Sequence, residues 1–64
     1  MPIIRVSLWS GRTKEQKATL AKALTETMVR VAEVPAHAVT IQIEELPKDN
    51  WATGGELHSD VFKD

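Results

Sequence analysis

The order of apolar and polar positions changes period several times along the chain, and each change marks an element. Over residues 2–9, Ile4, Val6 and Leu8 fall on one face, and Ile3, Arg5, Ser7 and Trp9 on the other. That period of two predicts a strand. Neither face is fully polar, so the strand needs a helix of its own chain on one side and, in part, another subunit on the other. Arg5 and Ser7 on the second face then require partners or water. Ser10-Gly11-Arg12 reads as the turn out of the strand.

From there the period lengthens. Leu20, Leu24, Met28 and Val31 form an apolar stripe, with Ala21 and Ala32 small enough for close approach to a sheet. The spacing predicts a helix from about Lys14 to about Ala32. Thr13 followed by Gln16 is a capping box at its start, and Glu15 adds favourable charge there. Lys14, Lys17, Lys22, Glu26 and Arg30 make a solvated face, with Glu26 and Arg30 in the favoured i, i+4 order. Val34-Pro35 ends the helix, because a residue before proline avoids helical geometry.

Pro35 to Ala38 is a connector, with His37 an exposed loop residue, and Val39 to Leu46 alternates again as a second strand. Glu44 and Glu45 are adjacent in it and point to opposite faces, which argues against a carboxylate pair. Pro47-Lys48-Asp49-Asn50 is a turn cluster, and Gly54-Gly55 suits a tight hairpin. The tail through Asp64 has room for a short strand or a helical turn.

Residues 1–64 therefore read as one domain of the α/β (α+β) class: a single βαβ unit with parallel strands plus a short C-terminal hairpin. The crossover should be right-handed. Two parallel strands and a hairpin cannot close a core alone, so sheets from two chains should join in a dimer or a multiple of one.

Composition sharpens this. A chain of 64 residues buries only about 60% of its unfolded surface and is marginal by itself. It has no cysteine, which excludes disulfides and thiolate metal sites. His37 and His58 are too far apart for ligand spacing, so no metal is expected. Association with other chains is the remaining source of stability. The net charge is −1, from 8 basic and 9 acidic residues, without the clustered basic residues that nucleic acid requires. No apolar run reaches the length of a membrane span and no signal peptide precedes the domain, so neither membrane nor export is expected and the cytoplasm is the default location.

The chemistry-bearing candidates lie at the start. Initiator methionine is trimmed when a small residue follows, which would leave Pro2 with a free secondary amine. A strand running from that proline would hold the amine rigidly, and Arg12 sits at the far end of the same segment. An amine base with a guanidinium suits proton transfer on a small anionic substrate. On position alone, Pro2 reads first as the opening residue of an edge strand, where a missing N–H costs nothing.

Pro2-Ile3-Ile4, the run Gly11-Arg12-Thr13-Lys14-Glu15-Gln16-Lys17 and the stretch from Trp51 through Gly54-Gly55 to Leu57, in this order and spacing, resemble the 4-oxalocrotonate tautomerase family over nearly the whole chain. The resemblance implies a homohexamer built as a trimer of dimers. It also implies cofactor-independent keto–enol tautomerisation of 2-hydroxydienoates such as 2-hydroxymuconate, or of small 2-oxo acids. By the same resemblance Pro2 is the general base, Arg12 binds a substrate carboxylate, and Trp51 stands where the family places an aromatic pocket wall. Trp9 is a second candidate for excluding water from the site, or else packs at a subunit interface. Such a base must be neutral; an apolar pocket and the charge of Arg12 would both lower its affinity for a proton.

One position departs from the pattern. The best-studied members of the family carry a second arginine near the start of the second strand, and Thr40 stands there. A threonine hydroxyl donates one hydrogen bond and brings no charge; by analogy with oxyanion-hole deletions the loss is worth about 2.7–4 kcal/mol at the transition state. Arg5 is a poor replacement, since strand parity puts it opposite Pro2. Two alternatives stay open: a tautomerase for monocarboxylate enols of the phenylpyruvate type, and a non-catalytic partner subunit of a mixed hexamer that draws the missing arginine from a different chain.

Overall fold

A computed structural model describes residues 2–62. Met1, whose removal would free the Pro2 amine, and the last two residues of the tail lie outside the described residues. The chain runs through strand β1 (Ile3–Trp9), helix α1 (Lys14–Ala32), a 3-10 turn (Ala36–Ala38), strand β2 (Thr40–Leu46), a second 3-10 turn (Lys48–Asn50), strands β3 (Ala52–Thr53) and β4 (Glu56–Leu57), and a closing helical turn α2 (His58–Val61). β1 and β2 are parallel, in a register that sets Ile4 beside Ile41, Val6 beside Ile43 and Leu8 beside Glu45. This is the βαβ unit that the change of period predicts, and the helix bounds agree with it.

Local chemistry explains the boundaries. The capping box at Thr13 is complete: the Gln16 N–H donates to Thr13 Oγ1 at 3.0 Å and the Thr13 N–H donates to Gln16 Oε1 at 2.9 Å. At the other end Glu33 adopts the left-handed conformation at φ 55° and donates its N–H to the Val29 carbonyl. Val39 closes the preceding 3-10 turn, so β2 begins one residue later than the alternation indicates. Gly54 and Gly55, at φ 62° and 85°, make the two-residue hairpin between β3 and β4. Positive φ at both central positions matches the twist of paired strands, and glycine meets it without steric cost.

The alternation in β1 shows as exposure. Ile4, Val6 and Leu8 are half-buried, while Ile3, Arg5 and Ser7 are exposed. In α1 the half-buried stripe includes Leu20, Ala21, Leu24, Met28 and Val29. Val31, counted in the stripe from spacing alone, is 67% exposed. The reason is length. Nineteen helical residues rise about 28 Å, whereas seven strand residues rise about 23 Å, so the last turn of the helix overhangs the sheet.

Among the described residues no hydrophobic side chain is buried, and Ile3, Leu57, Val61 and Phe62 remain 41–50% exposed. The chain exposes 4997 Å², where a compact monomer of its mass exposes about 4,100 Å². Its radius of gyration is 14.7 Å, against about 10.7 Å for a compact domain of this length. The excess lies in a body 42 Å long and 14 Å thick. The described residues thus close no core by themselves.

Candidate functional site

The two ends of β1 carry different chemistry. At its start, the Thr40 N–H donates to the Pro2 carbonyl at 3.0 Å, and Thr40 pairs with Ile3 in the sheet register. Pro2 and Thr40 are therefore backbone neighbours. Alternation assigns Thr40 to the Ile3 face of the sheet and Pro2 to the face shared with Ile4. Arg5, on the Ile3 face, donates from Nε to Gln42 Oε1 at 3.0 Å.

At the far end, Ser10 N–H donates to the Leu46 carbonyl at 2.9 Å and closes the sheet. Glu45 then fastens the turn that follows. Its Oε2 accepts the Arg12 N–H at 3.3 Å, and its Oε1 forms an ion pair with Lys17 Nζ at 2.7 Å. The hydrogen bond from Lys17, with the backbone donors of Arg12 and Gly11, holds the Glu45 carboxyl below its ordinary range despite some desolvation. Glu45 sits beside Leu8 on the helix-facing side of the sheet, and Glu44 is exposed, as adjacent strand residues must be. Leu8, Arg12, Gln16, Lys17 and Leu20 line a groove of about 300 Å³. Its lining is two leucines with Gln16 and two cationic residues, of which Lys17 is paired with Glu45.

Trp9 faces away from this groove into an aromatic cluster. Its Nε1 donates to His58 Nδ1 at 2.9 Å. Trp51 stacks on the same imidazole, with ring centroids 5.8 Å apart and planes 19° from parallel, and anchors its own Nε1 on the Leu46 carbonyl at 3.0 Å. Phe62 meets both Trp9 and His58 at 5.4 and 5.1 Å, and Lys48 Nζ lies 4.6 Å from the Trp9 ring centroid. Reading the sequence for metal spacing passes over His58 in this role. Its Trp9 contact spans 49 positions, and no local period signals such a pairing.

Of the five candidates, Trp9, Arg12 and Trp51 gather at the C-terminal end of β1, while Pro2 and Thr40 gather at its start. Seven strand steps separate the groups, about 23 Å. A small carboxylic acid spans less than about 10 Å, so one chain alone cannot offer it both Pro2 and Arg12. Among the described residues no cluster of metal-ligating side chains occurs, and no helix is long and apolar enough to cross a membrane.

Comparison with known proteins agrees with this architecture along its length. A model of the family described as "Tautomerase enzyme" matches residues 2–61. A probable tautomerase of Streptococcus pneumoniae is 41% identical over 59 residues, covering 92% of this chain and 98% of its own. The 2-hydroxymuconate tautomerase of Pseudomonas sp. strain CF600 is 39% identical over 61 residues, covering 95% and 97%. Among solved structures, a heterohexamer 4-oxalocrotonate tautomerase from Chloroflexus aurantiacus superposes with a TM-score of 0.89 at 34% identity, over 95% of this chain and 98% of that one.

Proposed function

This chain belongs to the tautomerase family and is by that membership an isomerase, and we propose that it moves a proton between oxygen and carbon of a small enol acid in a site shared between subunits. The substrate class is a 2-hydroxydienoate or a 2-oxo acid. Neutral Pro2, its amine freed by removal of Met1, takes the enol hydroxyl proton. Electron density moves from oxygen through the conjugated system to carbon, and the prolyl ammonium returns its proton there, so the amine ends as it began. No cofactor takes part. Arg12, from a different chain, holds the carboxylate, and its charge disfavours a second cation at Pro2. Trp9 and Trp51 exclude water, and Thr40, on the sheet face away from Pro2 of its own chain, contributes one uncharged donor to the site of another chain.

The observation that carries this reading is the separation of Pro2 from Arg12 in a chain whose described residues bury no hydrophobic side chain. Both deficits are met when the start of one β1 approaches the far end of another. We place the assembly as a homohexamer, a trimer of dimers. The Chloroflexus relative is a heterohexamer, which makes the native mass of this chain purified alone the measurement that separates a homo-oligomer from a subunit needing a different partner.

Thr40 favours one substrate class within the proposal. With a single arginine available for carboxylate, monocarboxylate enols of the phenylpyruvate type should turn over better than dicarboxylate dienols. Rates for both classes, measured on wild type and on Pro2→Ala that retains a free amine, test the reading. Equal activity in the two proteins would exclude Pro2 as the base, and faster dicarboxylate turnover would exclude the monocarboxylate preference.

A further inference from the structure

We propose that His58 is a positioning residue of this site: it locks Trp9 and Trp51 as the two apolar walls and releases Trp9 when it takes up a proton. The wall role rests on the reading that these indoles face substrate; the lock itself rests on geometry alone. An indole N–H can only donate. His58 Nδ1, 2.9 Å from Trp9 Nε1, must therefore present its lone pair. In the neutral ring the proton then sits on Nε2, which lies 2.8 Å from Thr53 Oγ1 and donates to it. One imidazole thus spends both nitrogens and a ring face on three residues of two separate segments. Its backbone N–H adds a fourth tie, to the Trp51 carbonyl at 2.9 Å.

This arrangement has two consequences. Trp51 is held at its ring face by His58 and at its nitrogen by Leu46, and Trp9 is held by His58 with Lys48 over its ring. Planes fixed before binding lower the ordering cost that a substrate otherwise bears. Loosening them should weaken binding and leave the proton transfer at Pro2 alone. Secondly, a proton added to Nδ1 sets one N–H against another and removes the Trp9 bond. The charged groups on the surrounding elements are Arg5 of β1 and Glu44 of β2 on the Trp9 face of the sheet, Lys48 and Asp49 of the second 3-10 turn, Glu56 of β4 and Asp60 of α2. Lys48 is the one that enters the cluster, where it also donates to the Phe62 carbonyl at 2.6 Å. Trp9 itself is flanked by the uncharged Leu8 and Ser10.

Two substitutions separate the acceptor from the ring. His58→Asn keeps an acceptor near the Nδ1 position and cannot titrate. His58→Phe keeps a stacking ring and has no acceptor. Both are compared with wild type as assemblies of the same native mass, using a phenylpyruvate-type enol across pH. His58→Phe should raise KM about five- to tenfold, with kcat within about twofold. His58→Asn, which keeps the Trp9 acceptor but not the ring on Trp51 or the donor to Thr53, should raise KM less than His58→Phe at neutral pH, with no further rise on acidification. In nitrogen-15 spectra the two tryptophans give two indole N–H signals; that of Trp9 should move with pH in wild type and stand still in His58→Asn. A normal KM in His58→Phe with an impaired His58→Asn would reduce His58 to packing, and a normal KM in both would remove the walls. If wild type turned over no enol, the tautomerase reading and the wall role would fall together. The Trp9 signal would still decide the lock, and its indifference to pH would overturn it.

Discussion

A site shared between chains has a quantitative signature in mixtures of defective subunits. Pro2→Ala lacks the secondary amine, and loss of a positioned base costs about 10²–10⁴-fold in rate. Arg12→Ala lacks the carboxylate anchor; a hydrogen bond to a charged group is worth about 1.5–3 kcal/mol, a loss of roughly 10- to 150-fold in kcat/KM. Each homogeneous variant should therefore be nearly inactive. Suppose the two are unfolded together in equal amounts and reassembled. If every site takes Pro2 from one chain and Arg12 from another, each required residue is intact with a chance of about one half. About one site in four is then fully wild type. The rise of about 23 Å along β1 is what forbids the alternative, because no rotamer of Arg12 returns it to Pro2 of the same chain. The assay is enol turnover at substrate well below KM, where the rate reports kcat/KM, with native mass confirming reassembly. Recovery of about a quarter of wild-type activity is expected. A mixture no more active than the mean of its two components would mean that base and anchor come from the same chain, and the composite site would be wrong.

Three further outcomes follow from particular contacts. Thr13→Ala removes half of the capping box and should cost about 1 kcal/mol in urea unfolding, compared at fixed protein concentration because assembly contributes to stability. The carboxyl of Glu45 is depressed by Lys17 and the turn amides. Its contribution is complete above the unfolded-state value and is lost as pH falls through the folded one, so acid should loosen the Arg12 turn, and Glu45→Gln should flatten that part of the acid unfolding profile. Thr40→Arg restores a second cation and should shift the ratio of dicarboxylate to monocarboxylate kcat/KM upward by about tenfold or more; an unchanged ratio would show that position 40 does not meet substrate.

The parts of this structure written in short-range chemistry were legible from the sequence. Alternation in β1, the Thr13–Gln16 box and the paired glycines each act over a few residues, and the strands, helix and hairpin stand where those signals put them. Val31 was misleading because helical period reports which side a residue faces and not whether anything lies beyond it. The fastening of Arg12 by Glu45 needs the register that sets Leu8 beside Glu45, which no single strand reveals. The His58 hub is more distant still, since it joins the end of β1 to a segment 49 positions on. The choice of Pro2, Arg12, Trp51, Thr40 and Trp9 rests on family resemblance as much as on pattern, and the structure adds that the two groups lie at opposite ends of β1.

The two-stranded sheet has a consequence for the life of a newly made chain. Each strand of β1–β2 offers one row of backbone donors and acceptors outside the β1–β2 ladder, flanked by apolar side chains that the described residues leave partly uncovered. Such rows template addition of any extended segment, correct or not. Productive association is at least second order in concentration, while capture by a wrong neighbour competes throughout. Yield on refolding should thus pass through an optimum: too dilute and the subunits wait uncovered, too concentrated and aggregates outrun the ordered assembly.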